Sequence, residues 1–152
     1  DESVARFIAK VLREKRADLH AAGVTVSALM IGGGLKHHGY AAHAVIKINS
    51  LEHRAQGEAD CTIKLDGDDY ENWAPAVRLA IVHHELLHPV LVLDKPTGRP
   101  ERDDLGRPKL KMRLHDVEIG GFVEIIKAHG EAAPEAVAIA NAQKYVQGLF
   151  KF

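Results

Sequence analysis

His84, Glu85 and His88 stand in the order HExxH within RLAIVHHELLHPV, residues 78–90. On an α-helix, positions i and i+4 lie one turn apart on one face, so both imidazoles can reach a single ion. Zinc–nitrogen bonds of about 2.0–2.1 Å suit that spacing. Glu85 sits about 100° further round the helix, beside such an ion but off the ligand axis. A carboxylate there can hold and deprotonate a water on the metal. Zinc lowers the pKa of that water from about 15.7 toward roughly 7, so a carboxylate base suffices at neutral pH. The candidates are therefore His84 and His88 as Zn2+ ligands and Glu85 as general base. The bland alternative is an exposed helix end with ordinary polar residues, in a chain that carries 10 histidines.

Two histidines do not hold a catalytic zinc, so a third protein ligand is required. Asp94 falls where the longer HExxHxxGxxH/D pattern would place one. Leu91 takes the glycine position of that pattern and Pro89 intervenes, so Asp94 ranks low. RLHDVEIGGF, residues 113–122, offers better candidates. His115 precedes an expected helix, and Glu118 lies one turn into it. His115 is favoured because neutral imidazole is the commonest protein metal ligand. Glu118 is the alternative third ligand, and whichever is not the ligand is expected to orient the site. Gly120 and Gly121 weaken a helix. They read as a close backbone approach to a neighbour, expected to be the HExxH helix.

The elements that must position these groups follow from periodicity. WAPAVRLAIVHHELLH reads as a helix with Pro75 in its first turn. Val77, Ala80 and Ile81 precede His84 and His88 on one face, so the ligand face is expected to continue the core-facing stripe. Pro89 cannot return an N–H to the carbonyl of Glu85, which stops the helix near His88. Upstream, ESVARFIAKVLREKRADLHAAG reads as a helix with a stripe of Val4, Phe7, Ile8, Val11 and Leu12, ended by Gly23. VTVSALMI, AAHAVIKIN and ADCTIKLDG are strand candidates. In the last, Cys61, Ile63 and Leu65 share one face, with Thr62 and Lys64 on the other. GGGLKHHGY, residues 32–40, reads as a flexible loop. PVLVLD and PKLKMRLHD bracket a Pro/Gly/Arg-rich loop, residues 95–108, as a long hairpin. HDVEIGGFVEIIKAHG reads as a helix capped by Asp116 and stopped by Gly130, and APEAVAIANAQKYVQGLFKF as a last helix.

The bulk numbers set the frame. The chain has 152 residues, 46% hydrophobic and 27% charged, with a net charge of −1. That suits one soluble globular domain over residues 1–152. The single cysteine, Cys61, excludes an internal disulfide and a Cys-rich zinc site, and fits a reducing compartment. No apolar run is long enough to span a bilayer. No signal peptide is expected ahead of an opening Asp1-Glu2, though the missing initiator methionine leaves an upstream segment open. Loop and edge histidines His37, His38, His43 and His53 read as solvated, and His83 as rotated off the ligand face. Residues 95–113 are rich in Lys and Arg. A solvated hairpin is the leading reading of them, with nucleic-acid backbone contact as the second.

The blocks AIVHHELLHPV, GRPKLKMRLHDVE and FVEIIKAHG resemble the putative phage metallopeptidase family, over roughly residues 40 to 130. The chain is also distantly similar to the SprT-like zincins, whose HExxH is followed by a histidine in an HGxxF setting. His115 occupies that place here. The resemblance implies an α+β, zincin-like single domain, with a small, mostly antiparallel sheet packed against the HExxH helix and further helices. It implies a zinc metallopeptidase acting on a peptide or protein, in the host-cell cytoplasm if phage-encoded. An extended substrate would pair with a strand edge above the cleft, ADCTIKL being the first candidate. The other reading is a phage accessory protein that binds a host protein or nucleic acid through residues 95–113, with zinc mainly structural. Glu85 separates the two, since a structural site needs no carboxylate there.

Overall fold

The helices and strands of this α+β chain come from a computed structural model that describes residues 2–116 and 121–148. The chain divides into two compact units, Asp1–Arg113 and Leu114–Phe152.

The first unit opens with α1 (Glu2–Lys15), which buries Val4, Ile8, Val11 and Leu12. The expected single helix is broken at Arg16, whose φ of −132° and ψ of 61° are not helical, and resumes as α2 (Ala17–Ala21). The break lets the Arg16 guanidinium turn inward, where it is almost fully buried. Gly23 then takes a φ of +82°, which glycine adopts without strain. β1 (Val26–Ile31) follows. Residues 32–40 are not a plain loop. They contain a small hairpin, β2 (Lys36–His37) and β3 (Tyr40–Ala41), turned on His38 and Gly39. Both turn residues have positive φ, 50° and 83°, the geometry of a tight two-residue turn. β4 (Ala44–Ile48), α3 (Leu51–Ala55) and β5 (Cys61–Asp66) complete the strands of the sheet.

The order in that sheet is β1-β5-β4, with β1 parallel to β5 and β4 antiparallel to it. The sheet is therefore mixed. The alternation read for β5 holds, since Cys61, Ile63 and Leu65 are all fully buried. Its place does not hold as read. β5 is the central strand, paired on both sides, so ADCTIKL offers no edge, and β4 lies at the edge instead. Burial pushes the Cys61 thiol up to about 12, so it stays protonated as a small core residue.

After α4 (Gly67–Tyr70), α5 (Pro75–Leu87) starts on Pro75 and ends with His88 as its C-cap. Pro89 enters β6 (Pro89–Leu91), which pairs antiparallel with β7 (Leu110–Met112). Single bridges Leu93↔Pro100 and Arg102↔Pro108 continue this long hairpin, as expected. Several of its cations are spent inside the fold. Arg102 donates to the carbonyls of Gly106 and Ala22, and Lys109 pairs with Glu101 at 3.5 Å. Arg107 donates to both oxygens of Asp60, to Gly23 O and to Thr25 Oγ1. No helix among the described residues is long and apolar enough to cross a membrane.

The second unit contains α6 (Val123–His129), a 3-10 turn (Gly130–Ala132) and α7 (Pro134–Gly148). α6 begins with Phe122 as its N-cap, not with Asp116, and Gly130 caps its end as read. Glu118 and Gly120 lie outside the described residues. Gly121 does mark a close approach. A Cβ there would meet Glu135 Cγ at 1.8 Å, and the Phe122 amide donates to Glu135 Oε1 at 3.1 Å. Its near neighbour is thus Glu135 of α7.

Asp60 is fully buried. Burial alone would raise its carboxyl, but the Arg107 guanidinium and Thr25 hold it below the ordinary carboxylate range. Removing one partner of a buried pair costs about 3–5 kcal/mol, and partial exposure of Arg107 reduces that. Arg107→Ala should therefore lower unfolding stability by about 2–3 kcal/mol in denaturant titrations at pH 7. Because the folded pKa is depressed, this contribution is complete above the usual carboxylate value of about 4. It is lost as pH falls through the lower folded value. The gap between wild type and variant should narrow in acid, and a gap that stays constant would contradict the assignment.

Candidate metal centre

α5 carries three faces. Val82 and Leu86 are fully buried and Leu79 packs against the same core. His84 lies on the opposite side, with its side chain 54% exposed. Glu85 falls between, 7% exposed. The expected continuity of ligand face and core stripe is therefore corrected. Val77 is 45% exposed, Ala80 is exposed and Ile81 is half-buried. Of the three only Ile81 packs against the core, and the core stripe otherwise runs through Leu79, Val82 and Leu86. A site that admits water and a ligand must turn its histidines outward.

The His84 and His88 rings stand 5.4 Å apart between centroids, at 71° to each other. His88 Nδ1 lies 2.8 Å from the Arg113 carbonyl. A carbonyl only accepts, so Nδ1 carries a proton, and in the neutral ring it is Nε2 that has the lone pair. In the other direction the Arg113 amide donates to His88 O at 2.6 Å. The β6–β7 ladder thus runs on by one step to fix the ring.

Glu85 Oε2 accepts the Ile46 amide at 2.8 Å, while Oε1 lies 3.9 Å from His84 Nε2. The strand register explains the donor. His43 O and Asn49 N bond toward β5, so by alternation Ile46 turns its N–H the other way, toward α5. One carboxylate oxygen is thereby held and the other lies on the side of His84. The helix end is held too. Arg16 Nη1 donates to Leu86 O and to Pro89 O, satisfying carbonyls that α5 and its exit leave over. Nothing in the periodicity of α1 signals that role.

A cavity of about 390 Å³ opens beside these groups, lined by His43, Ala44, Ala80, Ile81, His84 and Glu85. His43, read as a solvated histidine, stands edge-on to Trp73 with ring centroids 5.5 Å apart. Trp73 in turn meets Tyr70, and Arg78 lies 4.5 Å over the Tyr70 ring. No local pattern marks His43, since its neighbour Trp73 lies 30 residues on. Asp94 Oδ2 accepts from the amide and hydroxyl of Thr97, inside its own turn. His53 pairs with Glu58, and His37 and His38 touch each other in the β2–β3 hairpin. His83 is half-buried. His115 is exposed and belongs to the second unit, two residues after Arg113 in the chain.

The donor set suits a divalent metal ion. It offers two imidazoles one turn apart, one with its tautomer fixed, and a carboxylate held by the strand beside them. The chain belongs to the family described as putative phage metallopeptidase, which it matches over residues 3–149. The family's name implies a hydrolase that uses a metal. No curated protein and no solved structure matches the chain.

Glu85 should separate structure from chemistry. Glu85→Ala leaves the buried Ile46 amide without its acceptor, which costs about 1–3 kcal/mol. Glu85→Gln keeps an amide oxygen for that bond and should stay within about 1 kcal/mol of wild type. Thermal unfolding of both variants checks this, and equal losses would mean that the Ile46 contact carries no stability.

Proposed function

We propose that the protein is a zinc-dependent peptidase in which His84, His88 and His115 hold one Zn2+ and Glu85 is the general base. The supporting observation is the helical histidine pair with a carboxylate pinned beside it by the Ile46 amide. For the third ligand, each of the three histidines offers one ring nitrogen. Chain connectivity favours His115, because Arg113 bonds His88 in both directions and His115 follows two residues later. Glu118 remains the alternative.

When bound, the zinc would polarise the scissile carbonyl and lower the pKa of a water. Glu85 Oε1 then takes the proton of the attacking water and passes it to the leaving amine. Oε2 stays on the Ile46 amide, so the carboxylate does not swing away between these two transfers. His88 keeps its ring orientation through Arg113 O. An extended peptide would run along β4, where Ala44 and Ile48 turn their peptide groups away from β5 and the Ile46 amide is already held by Glu85.

Elemental analysis of the purified protein should find one zinc per chain, and a peptide library should be cleaved by wild type but not by Glu85→Gln. A chain that neither carries nor takes up zinc sinks the reading. In chelator competition His115→Ala should lose more than the roughly 10–100-fold typical of an orienting residue, and Glu118→Gln less. The reverse order would make the site a His-His-Glu one.

A further inference from the structure

We propose that the exposed apolar wall of α5 beside His84 is the subsite for a bulky apolar side chain of the substrate, with Ala80 setting its size. This rests on the peptidase reading above. Val77, Ala80 and Ile81 stand seven, four and three residues before His84, so they share its side of the helix. Val77 and Ala80 are exposed, while Ile81 is half-buried and also packs against the core that Leu79, Val82 and Leu86 fill from the other side. A helix that keeps Val77 and Ala80 on its solvent side, with the outer edge of Ile81 beside them and in line with a reactive pair, has an apolar surface in want of a ligand.

The cavity at that place gives the ligand its chemistry. Its apolar walls are Ala44 from β4 and Ala80 and Ile81 from α5. The remaining lining is His43, His84 and Glu85. Among the described residues no lysine or arginine lines it, so an acidic side chain would meet no cationic side chain and would be repelled by Glu85. A basic side chain would pair with Glu85 and disable the base. An apolar side chain meets neither objection, and its burial is favourable against all three walls. Ala80 presents only a methyl group, which leaves the space open. A longer side chain at that exposed helical position would fill it without disturbing the core. His43, propped on Trp73, borders the same space and can donate to a substrate carbonyl there.

The test uses the 15N-labelled chain of residues 1–152, both chelator-stripped and zinc-loaded. The probes are N-acetyl-phenylalanine amide and N-acetyl-glycine amide, titrated by amide chemical shift. The phenylalanine probe should bind on the order of tenfold more tightly. Its shifts should centre on Ala44, Ala80 and Ile81, in stripped protein as well as loaded. Ala80→Leu and Ala80→Glu should both abolish that preference while keeping the wild-type melting temperature. Two variants guard against one that fails to fold. Equal affinity for the two probes, or shifts centred elsewhere, overturns the subsite. Apolar selectivity in a chain that takes up no zinc would keep the subsite and sink the peptidase reading. Zinc uptake without selectivity would sink the subsite alone.

Discussion

The hydrogen bond from the Ile46 amide to Glu85 Oε2 is the constraint on which the site depends. A carboxylate that is 7% exposed needs a donor, and the outward-turned amide of an edge strand supplies one. The same bond sets the distance between α5 and β4, and so the width of the cavity between them. It also leaves one carboxylate oxygen turned toward His84. A helix and a strand are thus locked together by the group that would carry the chemistry, rather than by a separate structural contact.

Two further anchors keep α5 in place. Arg16 reaches across from the break between α1 and α2 to the last carbonyls of the helix. Arg113 closes on His88 from the hairpin that follows. At the base of the sheet, Asp60 binds Arg107 and Thr25, tying the hairpin loop to β1 and β5. The arginines of residues 95–113 that looked available for an outside partner are therefore in part internal ties, which charge content alone does not distinguish.

What was legible in the sequence is what depends on near neighbours. The spacing of His84 and His88, the stop at Pro89, the start at Pro75 and the alternation of Cys61, Ile63 and Leu65 are set within a turn or two of chain. The errors arose where a distant partner decides. Val77 and Ala80 are as apolar as much of the core stripe, and only the position of the sheet tells them apart from it. β5 has strong strand character, but whether a strand lies at an edge depends on what pairs with it. The helix read from Asp116 is described only from Val123, after Gly121 passes Glu135, a partner 14 residues further along the chain. His43 owes its place to Trp73, and no local pattern links them.

The central position of β5 has a consequence for how the chain acquires its shape during synthesis. β1 and β4 both emerge before the strand that joins them, and neither is a neighbour of the other in the sheet. Until Asp66 has left the ribosome, the two strands have no common template. α5 emerges later still, so the Ile46 amide has to wait for its acceptor. The nascent chain must therefore hold two unpaired strand edges in solution while translation proceeds, a period in which pairing with other chains competes with folding.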